Sequence, residues 1–147
     1  MVVRLVFIRI RKYWIGGSSM GKMKEKYHYA ISNEISVYQY GKRSTSMYES
    51  IIWYCCQYFQ LEGLDIEVKL YDNYDSLKCW GDSAQVSDTE YTIRICTDQP
   101  LRDVVATVCH EMVHVNQWVT NEWSGDGEKE AEKLQYKMAD KFWKGWE

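Results

Sequence analysis

Val108-Cys109-His110-Glu111-Met112-Val113-His114-Val115-Asn116-Gln117 is the stretch on which the reading of this 147-residue chain turns. On a helix, two histidines four residues apart project from one face, so their imidazoles can bind a single Zn²⁺ while the glutamate between them acts on a metal-activated water. The flanking residues favour a helix. Pro100 suits a first helical position, Asp98 or Gln99 stands where a cap belongs, and Asp103 complements the positive helix end. Leu101, Val104, Val105, Val108, Met112, Val115 and Val119 then fall on one apolar arc at helical spacing. His110 and His114 lie away from that arc, with Glu111 between the two faces.

Working outward, Tyr91, Ile93 and Ile95 alternate with Thr92, Arg94 and Cys96, which predicts a strand running directly into the motif helix. Leu64, Ile66, Val68 and Leu70 alternate in the same way with Asp65, Glu67 and Lys69, the pattern of a sheet with one wet face. Trp80 to Val86 is a weaker strand, loosened by Gly81 and Ser83. Before these, Thr45 or Ser46 caps a core-packing helix carrying Met47, Ile51, Ile52, Cys55 and Phe59, which Gly63 ends. Beyond the motif, Ser124-Gly125-Asp126-Gly127 reads as a loop, and Asp126 caps a last helix whose buried side holds Ala131, Leu134, Gln135, Met138, Ala139 and Phe142.

Two histidines do not complete a catalytic zinc site, which takes three protein ligands and keeps a position for water. The longer motif with a third histidine is excluded, because position 117 is Gln and position 120 is Thr. A carboxylate is the expected third ligand, with Glu128, Glu130 and Glu132 available on the final helix and Glu122 and Asp126 in the loop. His28, the one remaining histidine, is a further candidate.

These residues resemble the gluzincin-type zinc metallopeptidases, particularly their small phage-encoded and SprT-like members, over roughly residues 46 to 143. In that family the third ligand is often a glutamate opening the next helix in a Glu-x-x-Ala pattern. Gly127-Glu128-Lys129-Glu130-Ala131-Glu132 matches it. The resemblance therefore assigns Zn²⁺ to His110, His114 and Glu128, with Glu111 as general base in peptide-bond hydrolysis. A first-turn carboxylate is also held near a rigid helix start, whereas Glu130 and Glu132 point elsewhere around the axis. Glu132 is the candidate to hydrogen-bond a liganding histidine. By the same resemblance, Tyr91, Thr92, Ile93, Arg94, Ile95 and Cys96 form the sheet edge along which an extended substrate lies. Tyr136, Tyr91, Arg94 and His28 are the candidates for steadying the oxyanion.

The expected fold is α+β and zincin-like: a packing helix, a small, mostly antiparallel sheet of three to four strands, the His-Glu-x-x-His helix and a C-terminal helix bearing the third ligand. Residues 46–147 form this domain, and residues 1–45 a basic N-terminal extension, partly β or flexible. Within that extension, residues 27 to 40 hold one or two possible strands, and Gly16-Gly17-Ser18-Ser19 precedes Met20, where the functional chain is expected to begin.

Seven Trp and twelve Tyr make the chain rich in aromatic residues, which serve both cores and peptide grooves. The net charge of -3 is uneven: residues 1 to 30 hold seven Lys/Arg and one acid, +6, so the remainder carries -9. The acidic remainder argues against nucleic acid as a partner, and the resemblance implies a protein or peptide substrate. Action on DNA-attached proteins, which the SprT-like members suggest, has only the basic segment in its favour. Five cysteines with no C-x-x-C pair fit neither a disulfide framework nor a zinc ribbon and predict reduced thiols, with Cys109 turned away from the histidines. Arg4 and Arg9 interrupt the apolar start, giving neither a secretory signal nor a membrane span and predicting a cytoplasmic protein.

Overall fold

Alternating apolar residues build the sheet, and every alternating segment turns its apolar side the same way. The computed structural model describes residues 33–146. β1 (Glu34–Gln39) and β2 (Lys42–Ser44) form a hairpin over Tyr40 and Gly41, both at positive φ as a two-residue turn of this hand requires. After α1 (Met47–Phe59) come β3 (Asp65–Tyr71), the single turn α2 (Tyr74–Leu77), β4 (Gly81–Gln85) and β5 (Glu90–Cys96). Two long helices follow, α3 (Leu101–Thr120) and α4 (Glu128–Trp146).

The strand order is β2-β1-β3-β5-β4, with β1, β3 and β5 parallel and β2 and β4 antiparallel at the two edges. The fold is α+β, but the five-stranded sheet is mixed rather than mostly antiparallel. Period-two alternation reports which face is wet and is silent on the direction of a neighbour. The direction comes from the connections: α1 is long enough to carry the chain back and start β3 parallel to β1. The sheet also reaches upstream of the expected boundary at residues 45/46, since β1 pairs with β3 along its whole length. Residues 1–32, including His28 and Met20, lie outside the described residues.

Ile35, Val37, Ile66, Val68, Leu70, Tyr91, Ile93 and Ile95 point to one face and are buried under α1 and α3. α1 starts at Ser46, whose Oγ accepts from the Tyr48 N–H, and ends at Gln60 in a left-handed conformation, before Gly63. α3 is buried around more of its circumference than its apolar arc foretells. Ala106, Cys109 and Val113 are covered as well, whereas Leu101 and Val119 at its ends are exposed. α1 meets Cys109 through Cys55, and α4 lies across α3 and α1 and contributes Ala131, Met138, Ala139 and Phe142 to the core. Pro100 stands just before α3, and Gln99 does not cap it: its amide donates to the Cys96 carbonyl and accepts from the Thr107 hydroxyl. No helix among the described residues is long and apolar enough to cross a membrane.

Candidate metal centre

One turn of α3 separates His110 from His114, and α4 begins beside them. The side chains are 16 % and 13 % exposed, with ring centroids 5.0 Å apart. Glu128 is the first residue of α4, its N–H capped by the Asp126 carboxylate at 3.0 Å. Its carboxylate meets both rings: Oε1 lies 3.0 Å from His110 Nε2 and Oε2 lies 2.6 Å from His114 Nε2. One ligating atom from each of the three residues falls within 4.8 Å of the others.

Side-chain amides set the tautomers of both rings. Gln117 Nε2 donates to the Gly127 carbonyl at 3.0 Å and to Glu130 Oε1 at 2.8 Å, which turns Oε1 toward His114 Nδ1 at 2.9 Å. An amide oxygen only accepts, so Nδ1 donates to it, and Nε2 is the ring atom turned toward Glu128. Gln135 Oε1, 2.6 Å from His110 Nδ1, has the same effect on the other ring. Two imidazole nitrogens and a carboxylate oxygen thus converge, one donor atom from each residue for a cation. Two imidazoles and one carboxylate suit a divalent transition metal ion, Zn²⁺ among them.

Glu111 sits beside this cluster, 6 % exposed, and Oε1 accepts from the Ser83 hydroxyl at 2.7 Å. Burial pushes its carboxyl above the ordinary range; the Ser83 hydrogen bond and the two histidines pull it down, and Glu128 pushes it up again. Ser83 comes from β4, whose helix-facing positions, opposite Ile95, Ile93 and Tyr91, are Gly81, Ser83 and Gln85. A Cβ at Gly81 would lie 2.6 Å from Thr107 Cγ2, so glycine lets β4 approach α3 closely enough for Ser83 to reach Glu111. Gly81, Asp82, Ser83, Trp118 and Asp126 line the cleft together with His110, Glu111, His114 and Glu128.

Several expected roles fall elsewhere. Residues Tyr91 to Cys96 are not the edge: β5 is paired on both sides, by β3 and by β4, so its main-chain groups are used within the sheet. Among the described residues, the unpaired edge beside the cleft belongs to β4. Glu132 is exposed and contacts neither histidine; Gln135, two turns after Glu128 on the same helix face, holds His110 instead. Glu130 serves Gln117, and Asp126 serves as cap. Of the oxyanion candidates, Tyr136 donates to Asp103 at 2.6 Å, Tyr91 is buried against Trp118, and Arg94 is paired with Asp82 on the opposite face of the sheet. Cys109 is buried 3.8 Å from Cys55, away from the cluster, and no disulfide joins any of the five cysteines.

Ser83, Gln117 and Gln135 are the site residues that sequence reasoning did not assign. For the two glutamines a signal was present, because each lies one or two turns from a proposed ligand on the same helix face. Ser83 carries no such signal. Comparison of the chain with protein-family models, curated proteins and solved structures gives no match.

Proposed function

We propose that this protein is a zinc-dependent metallopeptidase, a small zincin-like hydrolase of the gluzincin type acting on protein or peptide chains. The observation that carries the reading is the convergence of His110 Nε2, His114 Nε2 and the Glu128 carboxylate beside the buried carboxyl of Glu111. His110, His114 and Glu128 would hold the ion. When bound, Zn²⁺ supplies Lewis acidity that polarises a carbonyl and acidifies water.

Glu111 does the proton work. It takes a proton from the attacking water and returns it to the departing amine, and burial raises its proton affinity toward what such a shuttle needs. The Ser83 hydroxyl occupies Oε1 and leaves Oε2 for the proton. The outer edge of β4, unpaired among the described residues, offers main-chain N–H and C=O groups to an extended substrate lying across the cleft.

Glu111→Gln should keep stoichiometric zinc, measured by elemental analysis, and lower the rate of cleavage of an unfolded protein substrate about 10²–10⁴-fold. Undiminished turnover in that variant would overturn the role of Glu111. A zinc-binding module without turnover is the second reading. It draws on the engagement of Tyr91, Arg94 and Tyr136 elsewhere, which leaves none of them to steady an oxyanion. Bound zinc with no hydrolysis by the unaltered protein would decide for it.

A further inference from the structure

We infer that Gln117 is a positioning residue that couples two of the metal ligands, orienting the His114 ring and pinning the turn that presents Glu128. The inference rests on the reading that His110, His114 and Glu128 hold a metal. Gln117 is 4 % exposed, and all three polar positions of its amide are in use. Oε1 accepts from His114 Nδ1, one N–H goes to Glu130, and the other goes to the carbonyl of Gly127, the residue directly before Glu128. That carbonyl also accepts from the Ala131 N–H at 3.3 Å, so Gln117 is bonded to the first turn of α4 itself.

Gly127 is shaped to this contact. Its φ is +82°, and a Cβ there would stand 2.3 Å from Gln117 Oε1 and 2.8 Å from its amide carbon. Glycine therefore meets two needs at one position, the left-handed backbone and the close seat of the amide. Gln135 provides the contrast, since the contact it makes to the cluster is with His110 alone. One glutamine thus sets a single ring, and the other sets a ring together with the backbone leading to the third ligand.

The test is a double-variant cycle on zinc affinity, measured with the full chain by competition against a chromophoric chelator. Removing a group that orients a metal ligand typically weakens metal binding about 10–100-fold. Gln117→Met, close in volume and without polar hydrogen bonds, is expected near the upper end of that range and Gln135→Met near the lower. In combination with Glu128→Ala, the Gln117→Met effect should shrink several-fold, because part of it acts through Glu128, whereas the Gln135→Met effect should add. Without metal, the ¹⁵N shifts of His114 should report the Nδ1–H tautomer in the unaltered protein and a mixture in Gln117→Met.

Should Gln117→Met fail to fold, Gln117→Asn keeps the amide but is one methylene too short to span His114 and Gly127. The same loss is expected of it. An unaltered protein that binds no zinc would overturn both this inference and the proposed function. Zinc bound by the unaltered protein, with unchanged affinity in the Gln117 variants or full additivity with Glu128→Ala, would overturn the coupling role alone.

Discussion

Glu111 is placed where an ionised carboxylate is costly, and stability should record that cost. Its proton affinity in the fold is raised, chiefly by burial. The folded chain therefore keeps a proton that the unfolded chain has lost, and stability falls as pH rises from the ordinary carboxylate range through the raised value. Metal-free Glu111→Gln should be more stable than the unaltered protein at neutral pH and equal to it in acid, as urea unfolding with a chelator present would show. A gap independent of pH would mean that ionisation is not its source. Gly127 and Gly125 offer a second comparison at this scale. Both have positive φ, but a Cβ at Gly125 meets nothing within 4 Å, whereas one at Gly127 strikes Gln117. Gly125→Ala should cost about 1–2 kcal/mol for the left-handed backbone alone. Gly127→Ala should cost more and, unlike Gly125→Ala, should weaken zinc binding. Equal costs in denaturant titrations would show that the amide gives way freely.

Among the elements, α4 is the one whose docking decides whether the cluster exists, because it carries Glu128 and Gln135 toward α3. Ala131, Met138, Ala139 and Phe142 recur at helical spacing and are buried, while the Arg102–Asp140 pair that also joins α3 to α4 is half exposed. Burial should therefore dominate: Met138→Ala should cost about 2–5 kcal/mol, and Arg102→Ala, which breaks a pair screened by solvent, far less. The reverse order in urea unfolding would show α4 to be held by charge. The stripe on α4, the Ser46 cap and the alternation in β3 and β5 were legible from sequence because each is a local periodic signal. His110, His114 and Glu128 were each named from sequence too, although the assignment of Glu128 leaned on a family pattern. Strand direction was not legible, since Ile66 and Val68 alternate identically beside parallel or antiparallel neighbours. Nor was β4 as the edge among the described strands: its helix-facing positions are Gly81, Ser83 and Gln85, the first two bordering the cleft, so it has no apolar period to read. Glu132 was named for the contact that Gln135 makes, because reach across the gap between α3 and α4 decides it and sequence spacing does not show that reach.

For the whole molecule, the proposed ligands link parts of the chain that otherwise meet through packing and a few polar contacts, those of Gln117, Gln135 and Tyr136 among them: α3, at the centre of the core, and the start of α4 beyond the 121–127 loop. At that junction the Nε2 atoms of both rings face the Glu128 carboxylate. A metal ion binding only the folded chain adds RT ln(1 + [L]/Kd), about 2.7 kcal/mol at a free concentration 100 times Kd. At about 2–8 °C per kcal/mol for domains near this size, that corresponds to a rise of roughly 5–20 °C in Tm. Zinc should therefore raise Tm by that order, and a chelator should reverse it. His114→Ala should abolish most of the shift, while Ser83→Ala, which touches Glu111 and none of the three ligands, should preserve it. Amide hydrogen exchange should place the largest added protection in the first turns of α4, where Glu128 and the Gly127 carbonyl are held. A zinc-induced rise in Tm that survives His114→Ala and Glu128→Ala together would put the ion elsewhere in the chain and remove the basis for a metal centre between α3 and α4.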